Sequence, residues 1–328
     1  MRSLGSALVL SIVAACGGDE APTTFEFGPY DLAPFEEQTD TCVQVTLHNK
    51  EPIYVNAVEL TTGPGFHHSN WFYVPESTFF GPDGSFSCDD RNYNEATAAI
   101  FGGVLFAQST QAPHELQQFP AGAVVEIPPR HKIFTQIHLL NPGEQPLHLD
   151  PKIQIYPIPE AEVTTRLVGM SFENHALALP PDMQSKFTLE CDLAAIQNTA
   201  FKFYYALAHY HELGIQLDID ALRQDGTSAS VFTTTTKAGD VMGGPIDPLF
   251  DMTGYSKLRF SCTFFNPRSE VVRWGVGDQE MCVFLAFTDS PFEWGGGVID
   301  DVDPQNPVMV GNEMQYTNPC LVLATRTD

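Results

Sequence analysis

The chain has 328 residues, more than the roughly 100–200 of a typical single domain, so two domains of similar size are expected. Its 16 Lys+Arg against 41 Asp+Glu give a formal charge of −25, a field that repels phosphate backbones and anionic headgroups and argues against nucleic acid as a partner. Charged residues are only 17% of the chain while 43% are hydrophobic and 11% aromatic, which suits a folded β-rich protein whose acidity is a solvated surface.

The first sixteen residues read as an export signal. Arg2 supplies a positive start, residues 7–14 form an apolar run too short to span a bilayer, and Val13-Ala14-Ala15-Cys16 ends in small residues followed by cysteine. This resembles the lipobox of bacterial lipoproteins, which implies lipidation at Cys16 and an exported protein whose membrane contact is the N-terminal lipid anchor. Residues 17–34 are expected to be a tether.

Strand signals dominate the rest of the chain. The stretches 41–47, 53–60, 123–127, 133–140, 201–208, 213–219, 258–265 and 281–287 are β-rich and separated by Pro, Gly, Asn and Asp clusters. No long stretch carries a helical apolar stripe. The expectation is an all-β fold of two tandem antiparallel β-sandwich, jelly-roll-like domains with a cleft between them. The proline-rich run Tyr156-Pro157-Ile158-Pro159-Glu160 marks the junction, giving an N-terminal domain over 35–160 and a C-terminal one over 161–328.

Within this frame the histidines are the candidates for chemistry. His67-His68 follows Thr61-Thr62-Gly63-Pro64-Gly65. Neighbouring side chains of a regular strand point to opposite faces, so this pair converges on one ion only at a strand end, at a bulge, or through different ring nitrogens. His138 lies in the apolar strand 133–139, where a half-buried histidine bonded to the backbone is the plainer reading. His209-Tyr210-His211 ends the run 201–208, and residues i and i+2 of a strand share a face, so both imidazoles can meet one metal. Imidazole suits copper, zinc, iron and nickel alike. Met281, in Gly277-Asp278-Gln279-Glu280-Met281-Cys282, is ordinarily core filler, but a thioether beside two imidazoles favours reduced copper over zinc. GxSxG, GxGxxG and HExxH signatures are absent.

Six cysteines remain after Cys16: Cys42, Cys88, Cys191, Cys262, Cys282 and Cys320. An even number in an exported chain implies disulfides. If each domain closes its own bonds, Cys42 pairs with Cys88, and the C-terminal four keep three options.

The order of these motifs resembles that of the copper type II, ascorbate-dependent monooxygenases, the family of peptidylglycine α-hydroxylating and dopamine β-monooxygenases, over roughly residues 35–325. The matching residues are His67-His68, Gln136-Ile137-His138, His209-Tyr210-His211 with Leu213-Gly214, and Glu280-Met281-Cys282. The resemblance implies two copper ions per chain. His67, His68 and His138 would hold the electron-delivering ion, and His209, His211 and Met281 the one that activates O2 for insertion into a C–H bond, with ascorbate or an equivalent reductant as co-substrate. It places the coppers well apart across an open cleft, gives Gln136 a supporting role beside the first, and pairs Cys42–Cys88, Cys262–Cys282 and Cys191–Cys320. Three departures bear on the substrate. Leu207 stands where the peptide-amidating enzymes carry a carboxylate-binding arginine, and Val283 and Leu285 stand where the family has asparagine and tyrosine. A small, fairly apolar substrate is therefore expected in place of a peptide carboxylate. A non-catalytic copper carrier is the alternative.

Overall fold

In a computed structural model, residues 21–326 are described except Asn198 and Asp301. Cys16 and the stretch expected to be an export signal lie outside the described residues. The chain is all-β, two tandem sandwiches of mostly antiparallel strands. In the first half a five-stranded sheet runs Gly84–Ser87, Glu37–Thr46, His131–Leu140, Phe66–Pro75, Gly103–Ala107. It faces a sheet built on Thr23–Glu26, Lys152–Pro157, Ile53–Thr61 and Ala123–Ile127. Sheet membership changes between Arg166, whose strand still pairs with Ala123–Ile127, and Val168.

The second half stacks two six-stranded sheets. One is ordered Gly243–Asp251, Lys202–His209, Val283–Thr288, Val168–Asn174, Phe292–Val298, Leu321–Arg326. The other centres on Gly214–Leu222, Lys257–Asn266 and Met183–Asp192. The stretch expected as a tether is in part structural: Thr23–Glu26 pairs with Lys152–Pro157, Tyr30–Leu32 pairs with Leu147–Leu149, and Phe27 and Leu32 are core residues. Its hydrophobic side chains gain more by burial than the chain loses by ordering.

Disulfides Cys42–Cys88, Cys191–Cys320 and Cys262–Cys282 form, the three pairs implied by the resemblance. A single seven-residue α-helix, Glu95–Phe101, is present among the described residues, its N-terminus capped by the Asn94 side chain on the amide of Thr97.

The strands Lys202–His209 and Val283–Thr288 are apolar on both faces because both faces are covered. Phe203, Ala206, Ala208, Phe284 and Ala286 enter the core of the second half, whereas Tyr205, Leu207, Val283, Leu285 and Phe287 pack into that of the first. Burying such side chains contributes about 1.5–3 kcal/mol each. The halves therefore meet along an apolar seam rather than across an open gap at these residues. A cavity of about 560 Å3 remains on the seam, lined by Leu116, Phe119, Tyr205, Ile246 and Leu249 among others.

Candidate metal centre

A β-bulge lets adjacent histidines converge. Where Phe66–Pro75 pairs with His131–Leu140, His68 stands opposite His138 and Phe66 opposite Leu139, leaving His67 as the extra residue. On the other side of His131–Leu140 the register with Glu37–Thr46 also shifts between Ile137 and Leu139. His67, His68 and His138 thereby each offer a ligand atom, all within 4.8 Å of one another. Gln136 shares a strand face with His138, but its amide donates to the Thr39 carbonyl rather than to an imidazole.

The second pair stands where Lys202–His209 ends, with His209 opposite Val283. The tight turn after His211 requires glycine: a Cβ on Gly214 would fall 2.1 Å from the ring of the fully buried Tyr210. The Glu280 carboxylate closes this turn, accepting hydrogen bonds from the amides of His211 at 2.8 Å and Leu213 at 2.7 Å. Burial pushes the Glu280 carboxyl up to about 7.

Ring partners fix which nitrogens stay available. His211 Nδ1 donates to the Gln279 carbonyl at 2.8 Å, so its lone pair is on Nε2. Thr110 Oγ1 donates to the Tyr210 carbonyl and thus accepts from His209 Nδ1 at 3.1 Å, again leaving Nε2. His138 Nε2 donates to Glu37 at 2.8 Å and keeps Nδ1. His67 Nδ1 accepts from the Gln111 amide nitrogen at 3.1 Å, so its proton is on Nε2, which faces the His211 Nε2 lone pair at 3.4 Å. His68 Nδ1 and His209 Nε2 are buried without any hydrogen-bond partner, a costly state for polar atoms that a cation would relieve.

These five imidazoles form one cluster. His67 Nε2 is 3.4 Å from His211 Nε2, and the His68 and His209 ring centroids are 4.7 Å apart. The expected wide separation of two ligand sets is thus corrected. The physical reason is the apolar seam: Leu207, Val283 and Leu285 are buried in it and hold the halves together. Burial and the neighbouring histidines push His67 down to about 2 and His209 to about 3, and His68, His138 and His211 are lowered mainly by burial. All five are neutral near pH 7; His68, His138, His209 and His211 offer lone pairs to a metal, and His67 does so once its Nε2 gives up the proton it shares with His211. Met281 is half-buried against the core of the first half, two residues before the strand Val283–Thr288 that pairs with His209.

A strap from the first half holds both histidine groups. Between strands Gly103–Ala107 and His114–Gln118, Gln111 reaches His67 and Thr110 reaches His209. The strap is tied to the second half by Met242 N donating to Ser109 Oγ and Gly239 N donating to the Thr110 carbonyl, both at 2.8 Å. The buried Glu115 carboxylate accepts from the Ser109 amide and hydroxyl, and burial raises its carboxyl to about 7. The five histidines stand out in the sequence, whereas Glu37, Thr110 and Gln111 do not, and Glu280 does so only as part of the Glu280-Met281-Cys282 match, with no role read for it.

No family model matches the chain and no curated protein matches it. Solved structures similar to it include the major capsid protein P2 of bacteriophage PM2, 7% identical with TM-score 0.30 over 82% of this chain and 97% of that one. Cowpea mosaic virus top component is 8% identical with TM-score 0.37 over 80% and 89%. A peptide-N(4)-(N-acetyl-β-D-glucosaminyl) asparagine amidase is 7% identical with TM-score 0.30 over 80% and 97%. Likeness at this level carries no functional argument.

Proposed function

We propose that this protein is an exported copper enzyme that uses O2 and a reductant such as ascorbate to hydroxylate a C–H bond of a small, fairly apolar substrate. The observation that carries the reading is the convergence of five neutral imidazoles, four buried and His68 half-buried, whose ring nitrogens include two buried ones with no partner. His67, His68 and His138 would hold one copper, and His209, His211 and Met281 the other, two ions per chain. Bound copper would supply one-electron redox chemistry and O2 binding; imidazoles joined by a thioether favour its reduced form.

The chain's own residues set the geometry. Thr110, Glu37 and the Gln279 carbonyl orient rings, and Glu280 fixes the turn that carries His211. The apolar substrate follows from the sequence resemblance, in which Leu207, Val283 and Leu285 replace the groups that hold a peptide carboxylate; the three side chains are themselves buried in the seam. Three disulfides accord with an oxidising compartment, and Cys16 with a lipid anchor as the membrane contact. Copper quantitation of the purified protein, followed by ascorbate-dependent O2 uptake across small apolar and amine substrates, tests the proposal. The second reading, a copper carrier, is favoured by the burial of His67, His138, His209 and His211 beneath a closed seam. It predicts stoichiometric copper with no reductant-dependent O2 uptake.

A further inference from the structure

We propose that His67 and His211 ligate one and the same metal ion, so that the first ion bound is held across the seam between the two halves. The inference rests on the reading of these histidines as metal ligands. It goes beyond that reading in making the two ligand sets a single centre.

The distance is the first argument. Two ring nitrogens at about 2.0–2.1 Å from one tetrahedral ion stand roughly 3.3–3.4 Å apart. His67 Nε2 and His211 Nε2 are separated by 3.4 Å. Protonation is the second. The Gln279 carbonyl can only accept, so His211 carries its proton on Nδ1 and turns a lone pair toward His67, whose Nε2 proton bridges the two rings and is the one an entering ion displaces. A third argument is that the juxtaposition is repeated alongside: His68 and His209, again one from each half, have ring centroids 4.7 Å apart, and their buried Nδ1 and Nε2 have no partner. His209 is only 6% exposed.

Nor does the pairing depend on a metal to draw the halves together. Leu207, Val283 and Leu285 are buried in the seam, and Met242 N to Ser109 Oγ and Gly239 N to the Thr110 carbonyl bond across it. The centre is therefore preformed, and an ion entering it finds ligands from both halves within reach. A second ion can take the complete His67, His68 and His138 set only when His67 leaves the shared ion. The loading of the two ions is thus coupled.

The test is a competition titration of the full oxidised chain with Cu(I), and with Co(II) as an optical probe of tetrahedral coordination. Wild type, His67→Ala, His211→Ala and the double variant are compared, with far-UV circular dichroism and disulfide content confirming the fold. His211→Asn serves if His211→Ala misfolds. Each single substitution is expected to weaken the first equivalent at least tenfold, and the double variant to be little worse than either single one, because both remove ligands of one ion. The Tm rise on adding that equivalent should shrink in both single variants, and by similar amounts. Additive losses, with His67→Ala retaining an ion at the HxH pair with wild-type affinity and spectrum, would overturn the shared ion and leave the metal reading standing. Absence of any tight equivalent in wild type would overturn both. Neither outcome depends on O2 uptake.

Discussion

The hydroxyl of Thr110 lies 3.1 Å from Nδ1 of His209 and donates its own proton to the carbonyl of Tyr210, 2.9 Å away. One side chain from the first half thus sets the tautomer of an imidazole in the second. Thr110→Val keeps the shape and removes the acceptor. Metal affinity at the HxH pair should fall about 10–100-fold with the fold retained, the range seen when partners of ligating histidines are lost. Thr110→Ser should restore it. Competition titration measures the effect, and equal affinity in Thr110→Val and wild type would remove Thr110 from the centre.

The buried Glu115 makes stability depend on pH in a defined window. Its carboxyl is raised to about 7 by burial, so between about pH 4.5 and 7 the native state keeps a proton that the unfolded chain has released. Native protein binds more protons there, and this contribution to stability declines as pH rises through the window and levels off above it. In Glu115→Gln the decline should be shallower by this one contribution, the part owed to the raised carboxyls of Glu95, Glu280 and Glu293 remaining. Urea midpoints at pH 5 and pH 8 should show the wild type losing on the order of 1–3 kcal/mol relative to the variant. Parallel pH profiles would contradict a neutral Glu115.

The disulfides should separate stability from metal binding. Cys191–Cys320 closes a separation of 129 residues and Cys262–Cys282 one of 20. Loop-closure entropy predicts about 5 kcal/mol for the first and about 3 kcal/mol for the second. Replacing both cysteines of the first pair by alanine should therefore cost more in denaturant unfolding. Loss of the second should lower metal affinity more, because Cys282 anchors the segment carrying Glu280 and Met281. The reverse pattern of affinities would show that this anchor is not needed by the centre.

Much of the fold is legible in the sequence because its strands are short, apolar and punctuated. Runs 201–208 and 281–287 stand out most, being buried on both faces. The strand Gly243–Asp251 escapes notice because Pro245 and Pro248 read as loop, and it is tolerated as a sheet edge, where missing amide donors go unpaired. The strand Phe66–Pro75 opens on polar His67, His68 and Ser69, all turned to the centre or the interior, which masks its period. The five histidines are likewise legible, and the bulge at His67 supplies one of the conditions under which adjacent histidines can meet. Their partners are not. Thr110 is 99 residues from His209 and Gln111 is 44 from His67, on a loop with no periodicity, and only the folded chain brings them together.

Met281 carries the distinction between oxygenation and mere copper storage. As a core residue it could become isoleucine with little consequence; as a thioether ligand it could not. Met281→Ile should change stability by less than about 1.5 kcal/mol if the side chains repack. The most direct measurement is ascorbate- and substrate-dependent O2 uptake by the copper-loaded wild type beside Met281→Ile at equal fold content. The account predicts turnover in the wild type and its collapse, by at least a hundredfold, in the variant. Copper-loaded wild type that consumes no O2 with any reductant and substrate, or a variant that turns over as fast as the wild type, would contradict it.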